Sequence, residues 1–342
     1  MMNGLNDSQL REIIRKHYLD ILEREPDEGG LEFYLTKIRN NDISLESIPN
    51  IFKNSTEFLN LQEKKKVANT QNNIQIHNSF TVKDGVAKKK VDGHILCFNP
   101  YDHVLLETFS HDDYEPATSN AVKKLVKPGM NVINIGANIG YFTLLIARQT
   151  GPQGKVISFE PSSHTAKFLQ QNIEANGYKN VETHSKAVSN KSGMADFWVG
   201  GSSTHSFVSE LKTQNYPQLT KMQVETVTLD DFLKNRDIRI DFIMMDAEGS
   251  EKYILEGMKK TLQSNPDLEI ITEYNPFTFK LAETTAESFL DLVEEIGFFT
   301  YVIDDKDGKV KRMSKKEILT NYPAPNLTNL YLTRKTRTVF DN

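Results

Sequence analysis

From residue 131 onward, short apolar runs alternate with amphipathic segments, and this order constrains the fold more than any other feature of the chain. Strand-like runs occupy residues 131–135, 155–159, 181–187, 241–245 and 268–272, and helical periodicity occupies 142–149, 165–176, 250–262 and 286–296. Strands that alternate with helices form a mostly parallel sheet covered by helices on both faces. The sequence therefore predicts an α/β fold, with an antiparallel hairpin at the sheet edge from residues 298–313 and 329–336.

The first part of the chain has a different pattern. Apolar residues recur at helical spacing behind Ser8, and further helical segments follow over 31–38, 44–52 and 55–61. Residues 64–79 are charged and amide-rich without periodicity. We predict an all-α bundle over residues 1–63 with a docking or structural role, a linker over 64–79, and the α/β domain over 80–342, which opens with a short β extension.

Charge and cysteine content exclude several classes of protein. The 41 basic and 46 acidic residues give a net charge of −5, which does not favour a nucleic-acid partner. Cys97 is the single cysteine, so an internal disulfide and a cysteine-rich zinc site are excluded. The polar N-terminus and the lack of a long apolar run predict no signal peptide and no membrane span. We expect a cytoplasmic protein.

The stretch "VINIGANIGY" at 132–141 joins a predicted strand to a predicted helix. Glycines at this junction let a ligand approach backbone amides at a helix N-terminus. The next strand ends in "VISFEP", which places Glu160 beside the loop, where its carboxylate can accept both hydroxyls of a ribose. The loop and the acid together predict a nucleoside cofactor.

The loop also bears on which cofactor is bound. A dinucleotide fingerprint needs a third glycine for the pyrophosphate, but bulky Tyr141 and Phe142 follow Gly140 directly. A methionine moiety needs polar partners, which Asn134 and Asn138 can supply together with the loop amides. S-adenosylmethionine is favoured, and a nicotinamide-dependent oxidoreductase is the alternative.

Several motifs resemble those of one enzyme family. "KPGMNVINIGANIGYFTLLIA", "GKVISFEPSS", "NVETHSKAVSNKSG", "VETVTLDDFL" and "IDFIMMDAEGSEKYILEGM" are similar, in order and spacing, to the successive motifs of FkbM-type S-adenosylmethionine-dependent methyltransferases. The resemblance covers residues 115–275. It implies the class I methyltransferase sheet of seven strands, a Rossmann-like arrangement with an antiparallel last strand.

The resemblance also implies where the cofactor lies. The methionine part falls on Asn134, Gly136, Asn138 and Gly140, the ribose on Glu160, and the adenine near Ala187. The full set of expected cofactor-binding residues is Glu115, Asn134, Gly136, Ala137, Asn138, Gly140, Tyr141, Glu160, Pro161, Ser162, Ala187 and Asp246. The family usually has Asp where this chain has Asn134, which removes a charge that can pair with the cofactor's ammonium group.

The N-terminal segments "YLDILEREPDEGGLEFYL" and "FKNSTEFL" resemble a small helical domain of unknown function that is related to phycobilisome linkers. This domain occurs beside surface-layer and glycan-modifying enzymes. The resemblance implies docking to a protein partner and no chemistry. A purely structural cap is the alternative.

Methyl transfer to a hydroxyl requires a group that removes a proton. The candidates are Asp246 and Glu248 in "MMDAEGSE" and His205 in the glycine-serine segment "GGSSTHSF". Capping of the following helix is the alternative role for the two acids, and an ordinary exposed histidine is the alternative for His205. A rival mechanism places magnesium on Asp246, Glu273 and Asn275, but the resemblance implies no metal, and we expect none.

These observations predict an S-adenosylmethionine-dependent O-methyltransferase. The acceptor implied by the resemblance is a hydroxyl of a sugar, glycan or related metabolite. A cofactor-binding scaffold that has lost catalysis is a further alternative, because of Asn134. The sequence does not indicate an oligomeric state.

Overall fold

The structure is a computed structural model that describes residues 6–40, 42–53, 55, 80–109, 114–199, 206–208, 220–304, 307–336 and 338–340. The chain separates into two compact units, Met1–Asn78 and Ser79–Asn342. Each unit has a hydrophobic core of its own. The predicted linker 64–79 lies outside the described residues, so its boundaries stay predictions.

The first unit is helical. Its first helix begins at Asn6, whose side chain accepts a hydrogen bond from the Gln9 N–H while the Gln9 side chain accepts one from the Asn6 N–H. The predicted cap, Ser8, lies inside this helix, because the reciprocal pair at Asn6 and Gln9 starts it two residues earlier. The helices are Asp7–His17, Glu28–Arg39 and Ile48–Lys53, with a π-helical turn at Tyr18–Leu22 and a 3₁₀ turn at Leu45–Ser47. The helix expected over 55–61 falls, apart from Ser55, outside the described residues.

The described part of the second unit contains three sheets. Its described strands are β1 Thr81–Lys83, β2 Val86–Val91, β3 His94–Phe98, β4 Asn131–Ile135, β5 Lys155–Phe159, β6 Val181–His184, β7 Ala187–Val188, β8 Gly193–Val199, β9 Ser206–Val208, β10 Thr220–Val227, β11 Phe242–Met245, β12 Glu269–Tyr274, β13 Phe299–Asp304, β14 Lys309–Arg312 and β15 Thr328–Thr333.

The largest sheet has eight strands among the described residues, in the order β14-β13-β15-β12-β11-β4-β5-β6. Strands β6, β5, β4, β11 and β12 are parallel. Strand β15 is antiparallel to both of its neighbours, β12 and β13. The predicted α/β class is confirmed, and an edge hairpin is present as β13 and β14, within the predicted segment 298–313. The segment 329–336, also expected in this hairpin, instead forms most of β15, which lies inside the sheet between β12 and β13. The expected number of seven strands is wrong by one, because β14 extends the edge.

Alternate residues of the central strands enter two different cores. Val132 of β4 packs in one core, whereas Ile133 and Ile135 pack in the other. All four residues of β11 are buried, as expected for a parallel strand covered on both faces. The described helices of this unit are His103–Thr108, Pro116–Leu125, Tyr141–Thr150, Ser163–Ala175, Leu229–Leu233, Glu251–Glu256, Lys259–Ser264, Pro276–Leu281, Ala286–Glu295 and Lys315–Asn321.

Two predicted elements are divided in the structure. The strand expected over 181–187 ends at His184, and β7 begins a separate four-stranded sheet in the order β7-β10-β8-β9. The helix expected over 250–262 breaks at Gly257, where a Cβ would lie 2.2 Å from the carbonyl oxygen of Ser189. Both divisions depend on contacts between distant parts of the chain, which periodicity does not report.

The β extension forms a three-stranded antiparallel sheet of β1, β2 and β3, as the alternation predicted. The segment after this sheet is the helix His103–Thr108. Asp102 starts this helix, since its Oδ1 accepts 3.1 Å hydrogen bonds from the N–H groups of Val104 and Leu105.

The described part of the chain contains no helix whose length and apolar character would allow it to span a bilayer.

Candidate active site

The glycine loop joins β4 to the helix Tyr141–Thr150. Gly136 has φ +74°, and a Cβ on it would lie 1.6 Å from the carbonyl oxygen of Asp246. A side chain at this position would therefore push the loop after β4 away from the loop after β11. Gly140 has φ +101°, and a Cβ there would lie 2.6 Å from Cδ1 of Leu169. Both glycines are needed for close packing at the carboxyl edge of the sheet.

The amide groups of this loop are used inside the protein, which corrects the expectation that they face a ligand. The N–H groups of Gly136 and Ala137 donate to the carbonyl oxygen of Phe159, and the N–H of Gly140 donates to that of Ala137. The N–H of Ile139 donates to the side chain of Asn138. The turn is tight enough to satisfy its own donors, so side chains contribute more to a ligand site here than the sequence suggested.

Asn134 is buried beneath the loop, with 2% of its surface exposed. Its Nδ2 donates a 2.8 Å hydrogen bond to Oγ1 of Thr143, which lies 3.0 Å from Oγ of Ser158. Asn134 also lines the pocket beneath the loop, together with Gly136, Asn138, Met244 and Asp246. Its position agrees with the predicted place of the methionine moiety, although its amide nitrogen is already engaged.

Glu160 follows β5 and connects two loops. Its Oε2 accepts a 2.9 Å hydrogen bond from the N–H of Asn138, and its Oε1 accepts one of 2.9 Å from the N–H of Ser162. Burial raises the pKa of this carboxyl group to about 7, despite the two backbone donors, which act to lower it. Each oxygen keeps a further acceptor site, so the geometry is compatible with the predicted contact with a ribose.

Four acidic side chains gather where β11 and β12 end: Asp246, Glu248, Glu251 and Glu273. One carboxylate oxygen from each of Asp246, Glu251 and Glu273 lies within 4.8 Å of the others. Each of these three residues also has one buried carboxylate oxygen without a hydrogen-bond partner within the described residues: Oδ1 of Asp246, Oε2 of Glu251 and Oε2 of Glu273. We call these four residues the carboxylate cluster.

The pKa values of the cluster are all raised. Burial is the largest cause for each residue, and the negative charge of neighbouring members raises the pKa values of Asp246, Glu248 and Glu273 further. Like charges this close do not all ionise near neutral pH. The cluster therefore favours binding of a proton, a cation or several hydrogen-bond donors at its unpartnered oxygens. Its ionised members are stronger bases than ordinary carboxylates in water.

Helix capping does not explain Asp246 or Glu248. The helix Glu251–Glu256 begins after Ser250, which makes no side-chain capping bond, and Oε1 of Glu251 accepts a 2.8 Å hydrogen bond from the N–H of Ala247. The capping alternative is therefore wrong, because Glu251 holds the loop instead.

The metal alternative named Asn275 as a ligand, but this side chain is used elsewhere. Its Oδ1 accepts hydrogen bonds of 3.2 and 3.4 Å from the N–H groups of Phe277 and Thr278 and so caps the next helix. Glu251, and not Asn275, lies beside Asp246 and Glu273. The sequence analysis did not identify Glu251 as a site residue. In the sequence, Glu251 follows "DAEG" by two residues. An acid at this place is also expected as an ordinary carboxylate in the first turn of a helix.

A second group of site residues comes from the segment before the glycine loop. Leu105, Phe109 and Tyr114 line the same pocket as Asp246. The ring of Tyr114 lies 5.0 Å from that of Tyr141 and 5.8 Å from that of Phe142, measured between centroids. Sequence reasoning missed this aromatic wall because apolar residues near a sheet are usually core residues.

Glu115 is held at the same edge. Its Oε2 accepts a 2.8 Å hydrogen bond from Nδ2 of Asn329, and the same amide group donates to Thr118. Burial, the charges of Glu115, Asp246 and Glu273, and a hydrogen bond with Glu115 raise the pKa of Tyr114 well above its usual value. Tyr114 and Glu115 therefore border the carboxylate cluster.

The other predicted residues are spread around this edge. Tyr141 is buried with its hydroxyl 2.9 Å from Oγ of Ser119, and Ser162 caps the helix Ser163–Ala175 directly after Pro161. Ala187 is buried in the small core of the four-stranded sheet with Phe197 and Val224. His205 lies outside the described residues, so its assignment as a base stays a prediction.

The chain was compared with known protein families and proteins. A Methyltransferase FkbM domain matches residues 134–302, and a domain of unknown function, DUF4214, matches residues 6–62. "Methyltransferase 1" of Beauveria bassiana is 27% identical over 144 residues, which are 37% of this chain and 57% of that protein. "2-O-methyltransferase NoeI" of Sinorhizobium fredii is 25% identical over 206 residues, which are 55% of this chain and 83% of that protein.

Solved structures give more distant similarities. A SAM dependent methyltransferase from Aquifex aeolicus has a TM-score of 0.36 at 15% identity, covering 68% of this chain and 94% of that one. The M. jannaschii protein TYW2 in complex with AdoMet has a TM-score of 0.35 at 13% identity, covering 74% of this chain and 86% of that one.

The family match decides between the two cofactors that the glycine loop left open, S-adenosylmethionine and a nicotinamide dinucleotide. It sets aside the nicotinamide-dependent oxidoreductase, in agreement with the missing third glycine. Residues 134–302 belong to the FkbM family of S-adenosylmethionine-dependent methyltransferases, and a DUF4214 domain at residues 6–62 precedes them.

Proposed function

We propose that this protein transfers a methyl group from S-adenosylmethionine to a hydroxyl oxygen of a sugar, glycan or related metabolite. The observation that carries the proposal is the carboxylate cluster, whose unpartnered oxygens lie near the carboxyl ends of β11 and β12. Strand β11 pairs with β4, which leads into the glycine loop. A basic carboxylate beside a cofactor site is the group that a hydroxyl acceptor needs, because its proton must leave as the new bond forms.

The residues present fit the cofactor. The pocket beneath the glycine loop offers Asp246, whose buried Oδ1 has no partner within the described residues and suits an ammonium group. Glu160, one strand away on β5, has acceptor sites for ribose hydroxyls. When bound, S-adenosylmethionine supplies an electrophilic methyl carbon on a sulfonium. Asn134 replaces the family's usual Asp, so Asp246 is the charged partner that remains in this pocket.

We assign the proton transfer to the cluster. Asp246 and Glu248 lie in the loop after β11, and in the ionised form either can accept the proton of an acceptor hydroxyl at a carboxylate oxygen. Burial raises both pKa values and makes each carboxylate a stronger base than one in water. Phe109 and Tyr114 line the same pocket as Asp246. His205 is a further candidate base.

The acceptor class has two supports. Hydroxyl donors match the two unpartnered carboxylate oxygens that are not assigned to the cofactor, Oε2 of Glu251 and Oε2 of Glu273. One relative is named a 2-O-methyltransferase, although its similarity to this chain is 25%. A panel of neutral glycans, incubated with S-adenosylmethionine, tests the proposal through detection of methylated product by mass spectrometry.

The variants Asp246→Asn and Glu248→Gln sharpen this test. We expect at least one of them to lower kcat by ~100-fold, the usual scale for loss of a general base. Exposed Asp267 lies in the turn before β12, at the other end of that strand from the cluster, and Asp267→Asn is the matched control. Product formation at the parental rate in both cluster variants would contradict the assignment. Intact cofactor binding without product from any acceptor would favour an inactive scaffold.

We also infer that the protein is cytoplasmic. A further inference is that its DUF4214 domain binds a protein partner. Cys97 is a buried free thiol, which suits a reducing compartment. In the first unit, Phe33 and Leu19 are 53% and 40% exposed, and exposed apolar side chains of this kind suit protein contacts. The net charge of −5 argues against a nucleic-acid partner.

A further inference from the structure

One aromatic side chain near the site is exposed without a described contact that explains it. Among the described side chains of Ser79–Asn342, Phe277 is the sole exposed phenylalanine, tyrosine or tryptophan, with 49% of its surface accessible. Leu327 is 57% exposed. Exposed large apolar side chains beside a polar pocket commonly mark a ligand-binding surface.

Strand pairing places these two side chains at the same edge of the sheet. Tyr274, the last residue of β12, pairs with Thr328, the first residue of β15. Leu327 directly precedes Thr328, and Phe277 follows Tyr274 by three residues. We call Phe277 and Leu327 the apolar rim.

The apolar rim lies beside the carboxylate cluster. Glu273 of β12 pairs with Asn329 of β15, one step inside the pair that ends at the rim. Gly249, in the loop that carries Asp246 and Glu248, packs so closely that a Cβ would lie 2.3 Å from the carbonyl oxygen of Thr278. The loop after β11 therefore contacts the first turn of the helix that carries Phe277.

The position of Phe277 separates the rim from the expected cofactor contacts. Glu160 lies beyond β5 on one side of β4, whereas β11 and β12 lie on the other side. The main chain of Phe277 is fixed by the capping bond to Asn275, so the ring is presented from a short helix and not from an irregular loop. The rim therefore lies on the side of β4 away from Glu160, where we expect the acceptor.

We infer that the apolar rim is an acceptor subsite for a neutral pyranose ring, an inference that rests on the proposed methyl transfer to a hydroxyl. One face of a pyranose consists of C–H groups, which pack against the negative face of an aromatic ring. Its edge carries several hydroxyl donors, which match the unpartnered Oε2 atoms of Glu251 and Glu273. A pyranose thus satisfies both halves of the surface at once.

Other acceptor classes satisfy only part of it. A linear polyol has the hydroxyl donors but no rigid apolar face for Phe277. Sugar phosphates and uronic acids bring negative charge toward Glu115, Asp246, Glu248 and Glu273, and this repulsion disfavours them. Neutral pyranosides are therefore expected to bind more tightly than sorbitol and than the corresponding glucuronide.

The test uses the full chain and the variants Phe277→Ala and Phe277→Trp. Binding of methyl β-D-glucopyranoside and methyl α-D-mannopyranoside is measured by calorimetry with S-adenosylhomocysteine present, and kcat and KM are measured with S-adenosylmethionine. We expect Phe277→Ala to weaken binding of the better pyranoside by ~10-fold, the scale of an aromatic contact, and Phe277→Trp to retain it. Cofactor affinity should change by less than ~2-fold, since Phe277 is remote from Glu160.

Phe33→Ala is the matched control, because it removes a phenylalanine of similar exposure, 53%, from the other unit. Thermal unfolding of each variant reports whether it is folded. If Phe277→Ala binds and methylates pyranosides like the parent, the subsite is wrong while the proposed function stands. If the parent neither binds nor methylates any pyranoside but methylates catechol or sorbitol, the sugar acceptor and the subsite are both wrong.

Discussion

Nδ2 of Asn172 donates a 2.7 Å hydrogen bond to the carbonyl oxygen of Ile139 and so ties the helix Ser163–Ala175 to the glycine loop. The same side chain bonds both the N–H and the carbonyl oxygen of Cys97 in β3. Asn172 has no exposed surface. One amide group thus joins the β extension to the cofactor loop.

We predict that Asn172→Ala destabilises the protein by ~3 kcal/mol, because it leaves several buried backbone groups without partners. Chemical denaturation measures the change in the free energy of unfolding. Asn176→Ala is the matched control: Asn176 lies one turn later and bonds the main chain of Ile95 in the same strand, but in a more exposed position. Equal losses in the two variants would show that burial of Asn172 adds nothing.

Cofactor affinity should depend on pH through Glu160. Ribose hydroxyls donate to the ionised carboxylate, and burial raises the pKa of Glu160 to about 7, so this form is lost as the pH falls through 7. We expect the Kd for S-adenosylmethionine to rise ~10-fold between pH 8 and pH 6, since about a tenth of the group stays ionised one unit below its pKa.

Titration calorimetry at several pH values measures this dependence. Glu160→Gln should bind more weakly at pH 8 and show a flatter pH profile. Any dependence that remains in this variant belongs to Asp246, whose pKa burial also raises. A parental profile in Glu160→Gln would remove the ribose assignment.

Asn134→Asp tests the departure from the family's usual residue. The carboxylate restores a charge that attracts the cofactor's ammonium group, and the hydroxyl of Thr143 can rotate to donate to it. We expect cofactor binding at least as tight as in the parent, measured by calorimetry at pH 8. A clear loss of affinity would show that the 2.8 Å hydrogen bond from Nδ2 to Thr143 is required.

Turnover should survive removal of metal ions. Asn275 caps a helix, and proton transfer to a cluster carboxylate requires no ion. We predict unchanged product formation after dialysis against EDTA, compared with an untreated sample. Loss of activity that magnesium restores would instead make Asp246, Glu251 and Glu273 metal ligands, since their oxygens lie within 4.8 Å of one another.

The two units should separate. Their cores share no residue, so a chain that starts at Asn72 should fold and bind S-adenosylmethionine with the affinity of the full chain. Circular dichroism and calorimetry measure both properties. Aggregation of the shortened chain with exposure of apolar surface would mean that the first unit is required for folding.

The parts of the fold that could be predicted are those with local signals. The bounds of β4 and β5 coincide with the predicted 131–135 and 155–159, because continuous apolar runs between polar turns are typical of buried parallel strands. The glycine loop and Glu160 were predicted as site residues by the same argument, because ligands bind at the carboxyl ends of such strands.

The parts that could not be predicted depend on distant contacts. Glu251 becomes a site residue because its carboxylate turns back to Ala247. Tyr114 becomes a site residue because the segment before the glycine loop lines the same pocket as that loop. Hydrophobic periodicity does not report contacts between residues that are distant in the sequence. For the same reason, the hydrogen bonds of the loop amides to other backbone groups could not be predicted.

Strand β15 lies between β12 and β13 in the sheet but follows both in the chain. During synthesis, β12 therefore leaves the ribosome with one edge uncovered, and Glu273 has no neighbour on that side until Asn329 arrives 56 positions later. The chain can complete the parallel half of its sheet early, but the edge that bears the acidic site and the apolar rim closes only when β15 inserts. Assembly of the acceptor side is thus delayed relative to the cofactor side, and until then β12 is an open edge that a chaperone or another strand can pair with.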